Sequence, residues 1–145
     1  MNLSEHFTLE EMTSSQVALR QHIKNTPTAS ALKNLASLAV VLEQIRALVG
    51  KPLHIDSGYR SPPLNRAVGG SSASAHMEGL AADITVNGIP SKELALLIRD
   101  SSIMFDQLIH EGQWVHVGLR VLPLRRQVMT ARFKPSGTVY SEGIV

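Results

Sequence analysis

A histidine and an aspartate seven residues apart are the side chains in this sequence best suited to hold a metal ion. His76 and Asp83 lie in residues 74–83, Ser-Ala-His-Met-Glu-Gly-Leu-Ala-Ala-Asp. Imidazole nitrogens and carboxylate oxygens are both common ligands of first-row metals. On one regular strand an odd spacing sends two side chains to opposite faces, so the chain must bend between them, and Gly79 is where it can. The alternative is a surface loop that carries both residues incidentally.

A hairpin further along the chain offers a third ligand. Residues 105–111 and 114–119 have the composition of strands, and Gly112 and Gln113 separate them. Two-residue loops with glycine are typical of β-hairpins. Directly opposite residues share a face of the sheet, as do alternate residues along a strand. This register predicts one face that carries Ile109, Glu111, Trp114 and His116.

The same hairpin face offers a general base. Glu111 lies diagonal to His116, at roughly 7–8 Å between backbone positions, and reaches the same site. We therefore predict that His76, Asp83 and His116 are three metal ligands, which leave a zinc ion the open position that hydrolytic sites need. Zinc can lower the pKa of water from about 15.7 to about 7. Glu111 would accept the proton and return it to a leaving amine, whereas His110 faces the other side.

Arg60 is the second candidate catalytic residue. It follows a predicted strand at residues 53–57 and lies in the turn-rich segment Ser-Gly-Tyr-Arg-Ser-Pro-Pro. Peptide hydrolysis builds negative charge on the scissile carbonyl oxygen, and an arginine can stabilise that oxygen or pair with a substrate carboxylate. The alternative is an arginine that only ties down a turn.

The elements that must position these residues can be read from their periodicity. Thr8 and Glu11 form a capping box for a short first helix. A stripe of apolar residues spaced by three and four then indicates a long helix, which Gly50 ends. The stripe comprises Leu32, Leu35, Leu38, Leu42, Ile45 and Leu48.

These elements predict an α+β fold in a single domain, residues 1–145. N-terminal helices would occupy about 8–49 and a catalytic sheet region about 53–133, followed by a loose tail at 134–145. We expect a small antiparallel sheet of about four strands, with helices packed on one face and the metal site on the other.

Composition excludes several classes of protein. With 43% hydrophobic and 18% charged residues in 145, the chain is neither disordered nor embedded in a membrane. The absence of cysteine excludes disulfides and thiolate metal sites. The net charge of +2 is concentrated near the C-terminus without interleaved aromatic residues, so we expect no nucleic-acid partner. We also expect no membrane partner and a monomeric protein.

The segments around the predicted site resemble those of a known family. Residues 74–83 fit the motif S-x-H-x-x-G-x-A-x-D of the zinc D-Ala-D-Ala carboxypeptidases and their relatives, the LAS peptidoglycan peptidases. Trp114-Val-His116 is similar to their second zinc motif. Residues 57–62, followed by Asn-Arg-Ala-Val-Gly-Gly at 65–70, resemble the segment that places a substrate-side arginine, here Arg60. Residues 7–11 and the leucine-striped helix resemble short, single-domain members from phages and prophages, so the resemblance covers nearly the whole chain.

The resemblance implies bound Zn²⁺, a hedgehog/D-Ala-D-Ala peptidase-like fold and cleavage of the stem peptides of bacterial peptidoglycan. Several relatives place the catalytic acid three residues before the last zinc histidine, or a second histidine two residues before it. Gln113 and Trp114 occupy those positions here. Glutamine cannot accept a proton from water, so hairpin geometry makes Glu111 the predicted base.

Two classes of function remain open from the sequence. The first is a zinc peptidase that cuts L-alanyl-D-glutamate or D,D-type bonds, as a phage endolysin, a prophage hydrolase or a virion-associated wall peptidase. The second is a zinc-stabilised wall-binding module without activity. The first residues lack a basic start and an apolar run, so we expect cytoplasmic synthesis without a signal peptide and action on the cell wall after release.

Overall fold

A six-stranded mixed sheet forms the centre of the computed structural model, which describes residues 1–121 and 123–145. The strands run in the order β1-β2-β4-β3-β5-β6. Their bounds are β1 His54–Ser57, β2 Ala81–Thr85, β3 Gln107–His110, β4 Val115–Gly118, β5 Gln127–Lys134 and β6 Gly137–Glu142. The helices are α1 Leu9–Thr13, α2 Gln16–Gln21, α3 Ala29–Val49, α4 Pro62–Ala67 and α5 Ser91–Arg99, with a short 3₁₀ helix at Ala75–Glu78.

The first three helices begin at side-chain caps. The hydroxyls of Thr8, Ser15 and Thr28 each accept a hydrogen bond from the backbone N–H three residues on, which satisfies a donor that the helix itself leaves unpaired. The long helix α3 ends at Gly50, whose φ of 69° is left-handed and suits glycine. Thr8 therefore caps a helix at the predicted position, and Gly50 ends one as expected.

The hydrophobic core lies between α3 and one face of the sheet. The middle of the predicted leucine stripe is fully buried, whereas Leu48 at its end is 42% exposed. Across the core, β2 contributes Ala82 and Ile84, and α5 contributes Leu94 and Ile98. The opposite face of β2 carries Asp83. The helices therefore cover one face of the sheet and leave the other for a site.

The α+β class is confirmed, but the sheet differs from the expected one in two ways. It has six strands rather than about four, and β3 pairs with β5 in parallel, so the sheet is mixed. The parallel pair is possible because the end of β4 and the starts of β3 and β5 lie at the same edge of the sheet, where Gln107 pairs with both Gly118 and Gln127. The segment expected to be a loose tail contains β6, which pairs with β5 in a hairpin where Gly137 has a φ of 125°.

Within the described residues, no helix combines the length and the apolar character that crossing a lipid bilayer requires.

The N-terminal segment is fastened to α3 by one carboxylate. Glu43 accepts hydrogen bonds at 2.6 Å from the Ser4 hydroxyl and at 2.7 Å from the His6 backbone N–H. Burial alone would raise the pKa of Glu43, but these bonds and the His6 ring outweigh it and lower the pKa from 4.5 to about 2. The ionised carboxylate is thus more stable in the folded chain than in the unfolded one.

Replacing Glu43 with glutamine should lower the free energy of unfolding by about 1 kcal/mol at pH 7. Because the pKa is depressed on folding, this stabilisation is present above pH 4.5 and is lost as the pH falls towards about 2. Urea titrations at pH 7 and pH 3 would measure both values. The exposed Glu93→Gln is the control and should change stability by less than about 0.5 kcal/mol. The prediction would be contradicted if the difference in unfolding free energy between the wild type and Glu43→Gln were the same at pH 7 and pH 3.

Candidate metal centre

His76 lies on the 3₁₀ helix, which is closed at both ends by its own sequence. At the start, Ser74 Oγ accepts a hydrogen bond from the His76 backbone N–H at 3.2 Å. At the end, Gly79 has a φ of 71°. A Cβ at Gly79 would overlap the carbonyl oxygen of Ala31 on α3, so only glycine lets the turn pack this closely against the helix. The bend expected at Gly79 is present for these reasons.

The His76 ring is oriented by the loop after β1. Its Nδ1 lies 2.7 Å from the carbonyl oxygen of Gly58. A carbonyl oxygen only accepts hydrogen bonds, so Nδ1 carries the proton and the lone pair is on Nε2. Nε2 lies 3.4 Å from Asp83 Oδ1. The backbone therefore presents the ligating nitrogen of His76 towards Asp83.

Asp83 and His116 face each other across two adjacent strands. They are directly paired in the antiparallel ladder of β2 and β4, so their side chains share a face. His116 Nδ1 lies 3.1 Å from Asp83 Oδ1, and the rings of His76 and His116 are 5.2 Å apart between centroids. One ligand atom from each of the three residues lies within 4.8 Å of the others.

Burial and mutual contact determine the charges of these side chains. His76, Asp83 and His116 are 3%, 5% and 9% exposed. Burial alone would raise the pKa of Asp83, but hydrogen bonds from His116 and His76 outweigh it and hold the pKa well below its usual range. Burial would lower the pKa of His116, whereas contact with Asp83 raises it overall. A buried carboxylate between two imidazoles is a donor set that fits zinc.

Glu111 lies at the end of the β3–β4 hairpin, and the predicted register is present. Ile109 pairs with His116, and the Glu111 backbone N–H donates to the Trp114 carbonyl at 3.0 Å. The Trp114 indole N–H donates to Glu111 Oε1 at 2.7 Å. Burial raises the pKa of Glu111, and the charge of Asp83 adds to this, although His116 opposes it. A carboxyl group with a raised pKa next to a metal site is suited to proton transfer.

Arg60 is held from two sides and points its third nitrogen at the site. Its Nε donates to Ser57 Oγ at 3.2 Å and its Nη1 to Asn65 Oδ1 at 3.0 Å. Nη2 lies 3.8 Å from Asp83 Oδ2. A Cβ at Gly70 would overlap the Asn65 amide oxygen, so this glycine keeps the space for the Asn65 contact.

Asn65 belongs to the segment whose resemblance to the family predicts the placement of Arg60, and the contact between the two side chains is part of that placement. Asn65 Nδ2 also donates to the Ser71 carbonyl at 2.8 Å, and the residue is 2% exposed. A buried asparagine must find hydrogen-bond partners. In a helix of six residues, however, periodicity is too short to show which positions are buried, so the resemblance alone pointed to Asn65, and its burial and partners were not predicted.

One cleft joins all five predicted site residues. It has a volume of about 680 Å³, and its lining includes the three candidate ligands together with Glu111 and Arg60. That volume lies in the range of small-molecule and peptide sites. As expected, His110 faces the other side of the sheet, where its Nε2 lies 3.0 Å from Ser91 Oγ. His54 on β1 is also outside the cleft and lies 3.1 Å from Asp56.

Replacing Gly58 with alanine should weaken the metal centre without removing a ligand. A Cβ at this position would overlap the carbonyl oxygen of Met12, which also accepts the Tyr59 backbone N–H at 2.7 Å. The loop must then shift, and with it the carbonyl that orients His76. We expect a loss of about 1–3 kcal/mol in unfolding free energy and about a 10- to 100-fold loss of zinc affinity. Urea titration and competition with a zinc-binding dye would measure the two values.

Gly50→Ala is the matched control for this substitution. Gly50 has a positive φ, so alanine there strains the backbone, but no atom lies within 4 Å of the added Cβ. It should cost about 1 kcal/mol of stability and leave zinc affinity unchanged. Wild-type zinc affinity in a folded Gly58→Ala protein would show that the loop does not orient His76.

Comparison with known proteins covers the elements that build this centre. A family model described as Peptidase M15 matches residues 5–118, from the N-terminal helices to the end of β4. The match therefore includes the three candidate ligands, Glu111 and Arg60, and it ends before β5 and β6. A search of the curated proteins found no match.

Proposed function

Because the chain belongs to the Peptidase M15 family, a family of zinc peptidases that act on peptidoglycan, we propose that it hydrolyses amide bonds in peptidoglycan stem peptides. The observation that carries this proposal is the single cleft in which Glu111 and Arg60 lie beside the buried group of His76, Asp83 and His116. A ligand set, a proton acceptor and a fixed cation are the groups that metal-assisted amide hydrolysis needs.

His76, Asp83 and His116 are the proposed zinc ligands. The Gly58 carbonyl selects the tautomer of His76, and the pairing of β2 with β4 brings Asp83 to His116. When bound, zinc supplies Lewis-acid chemistry, which lowers the pKa of water from about 15.7 to about 7 and polarises a carbonyl group. Three protein ligands are the number found in catalytic rather than structural zinc sites.

Glu111 is the proposed general base and acid. Trp114 occupies its Oε1 with a hydrogen bond, which leaves Oε2 to take a proton from the attacking water. The same oxygen then returns the proton to the leaving amine. Gln113 lies in the exposed turn of the hairpin and cannot perform this role, because an amide does not accept a proton from water at neutral pH.

Arg60 is the proposed substrate-side cation. The contacts with Ser57 and Asn65 prevent the guanidinium from swinging away, so Nη2 stays in the cleft beside Asp83. From there it can stabilise negative charge on the scissile carbonyl oxygen or pair with a carboxylate of the stem peptide. A charge fixed before the substrate arrives needs no reorganisation during the reaction.

The biological setting that we propose is a phage endolysin or a prophage cell-wall hydrolase that acts as a monomer. All five site residues come from one chain, so a monomer would have a complete site. The bond is an L-alanyl-D-glutamate or a D,D-type bond, since both place an amide beside a carboxylate that Arg60 could bind. The position of Glu111 in the cleft favours a peptidase over a binding module that has lost its base.

Digestion of defined muropeptides would test this function. The purified protein is incubated with stem peptides of known sequence, with and without a chelator, and the fragments are identified by mass spectrometry. We expect cleavage at one type of bond, loss of cleavage with the chelator and recovery on addition of zinc. The fragment masses identify the bond. Zinc-loaded protein that leaves every muropeptide intact would contradict the proposal.

A further inference from the structure

The aromatic residues of this chain are divided between the core and the cleft. Of the six aromatic side chains, three are at most 4% exposed, namely Phe7, Tyr59 and Phe105. The other three line one wall of the cleft, namely Trp114, Phe133 and Tyr140. Phe133 and Tyr140 are 57% and 55% exposed. Large aromatic side chains that are exposed to solvent beside a catalytic centre are candidates for ligand contact.

The β5–β6 hairpin places two of these residues by its register. Met129 of β5 pairs with Ile109 of β3, so both lie on the face that carries the metal centre. Phe133 is four residues after Met129 and shares its face. Tyr140 pairs with Ala131, between them, and therefore also points to that face. The hairpin extends the sheet beyond β3 and adds a wall to the cleft.

The third aromatic residue joins this wall to the catalytic centre. The rings of Trp114 and Phe133 lie 5.8 Å apart between centroids, with their planes inclined by 30°. The bond from the Trp114 indole N–H to Glu111 fixes the orientation of the indole. Tyr140 and Glu111 line the same cleft. The aromatic wall is thus continuous with the proposed base.

We propose that Trp114, Phe133 and Tyr140 form a subsite that stacks against a pyranose ring of the glycan strand to which the stem peptide is attached. The inference rests on the proposed function and specifies the part of the substrate that this end of the cleft binds. The axial C–H groups of a pyranose form an apolar face that packs on aromatic rings, and its hydroxyls can bond to polar groups at the rim such as Tyr140 and Thr138.

The charges around the cleft favour a sugar rather than a peptide on this wall. The hairpin residues that line the cleft, Phe133, Thr138 and Tyr140, carry no charge. The cations of the cleft lining are Arg60, Arg120 and Arg125, and all of them lie outside the hairpin. Arg125 is paired with Asp106, so Arg60 and Arg120 are the arginines that would attract the free carboxylates of stem peptides, whereas the sugar ring that stacks is uncharged. The two kinds of surface thus match the two parts of one substrate.

Tryptophan fluorescence gives a direct test, because Trp114 is the single tryptophan of the chain. The zinc-loaded protein is titrated with peptide-free glycan strands, prepared by removing all stem peptides from peptidoglycan. We expect a saturable change in emission. Phe133→Ala and Tyr140→Ala should each weaken binding at least tenfold with unchanged zinc content. Val139→Ala is the matched control, since Val139 is an exposed apolar residue paired with Arg132 on the opposite face of the hairpin, and it should bind as the wild type does.

Three outcomes would overturn the proposal. The first is no saturable change in the emission of the wild type. The second is wild-type affinity for glycan in both Phe133→Ala and Tyr140→Ala. The third is competition by a sugar-free stem peptide for the same fluorescence change. None of them depends on hydrolysis, because the glycan strands contain no bond that a peptidase can cut. A protein that cleaves muropeptides but does not bind glycan would therefore disprove this subsite and leave the proposed function intact.

Discussion

Glu111→Gln should reduce the rate of stem-peptide hydrolysis about 10³-fold and leave zinc bound. Glutamine has nearly the same shape and can keep a contact with the Trp114 indole, but it cannot take a proton from water. General acid–base groups typically contribute 10²- to 10⁴-fold to a rate. Initial rates on a defined muropeptide and metal analysis by mass spectrometry would measure the two effects.

The neighbouring Gln113 provides the control for this prediction. Gln113→Ala should retain the activity of the wild type, because Gln113 is exposed in the hairpin turn. The double variant Glu111→Gln/Gln113→Glu moves the acid to the position that several relatives use, and it should stay inactive. Recovery of activity in the double variant, or wild-type rates in Glu111→Gln, would show that another group serves as the base.

Asp83→Ala should abolish zinc binding and hydrolysis together. Both imidazoles contact the same carboxylate oxygen of Asp83, so its removal leaves two buried histidines without their shared partner. Breaking a buried ionic contact costs about 3–5 kcal/mol, and the zinc-binding energy that adds to folding stability is lost as well. We expect less than a tenth of the wild-type zinc content and no detectable cleavage.

Asp56→Ala is the matched control for Asp83→Ala. Asp56 lies on the adjacent strand β1, and its side chain is 31% exposed beside His54. This variant should keep full zinc content and activity. Should Asp83→Ala fail to fold, Asp83→Asn preserves the shape and removes only the charge, and it should still lose zinc. Stoichiometric zinc in folded Asp83→Asn would exclude the carboxylate as a ligand.

The hairpin around Gly112 was predictable because its register depends only on local features. A two-residue turn determines which residues are opposite, and strand geometry then determines the shared face. Ile109 and His116 are paired as predicted, and Glu111 lies in the cleft. The Gly79 bend was predictable for a similar reason, since an odd spacing on one face requires a turn.

The sheet region was predicted to reach about residue 133 and so included most of β5, but β6 was missed because its strand signal is weak. Residues 134–137, Lys-Pro-Ser-Gly, resemble the start of a loose tail as much as a turn. Five of the six residues of β6 are exposed, Tyr140 included, so no alternation of buried and exposed positions marks it as a strand. The parallel pairing of β3 with β5 depends on a crossover between distant segments, and such contacts leave no periodic trace in a sequence.

The candidate metal ligands could be predicted from residue type and spacing. The backbone groups that orient them could not. Nothing in the local sequence connects Gly58 with His76, or Met12 with Gly58. These are contacts between backbone groups, and backbone carbonyls are the same in every residue type. The orientation of a metal-binding histidine therefore becomes visible only when the tertiary structure is known.

The direct pairing of Asp83 with His116 ties the metal centre to the alignment of β2 and β4. A slip of one residue between these strands would send the two side chains to opposite faces. The partners are 33 residues apart along the chain, so they meet only after the two strands have aligned. An ion that binds at this late stage should slow unfolding without changing the refolding rate. Zinc would then increase the kinetic stability of the protein, which lengthens the lifetime of the native state.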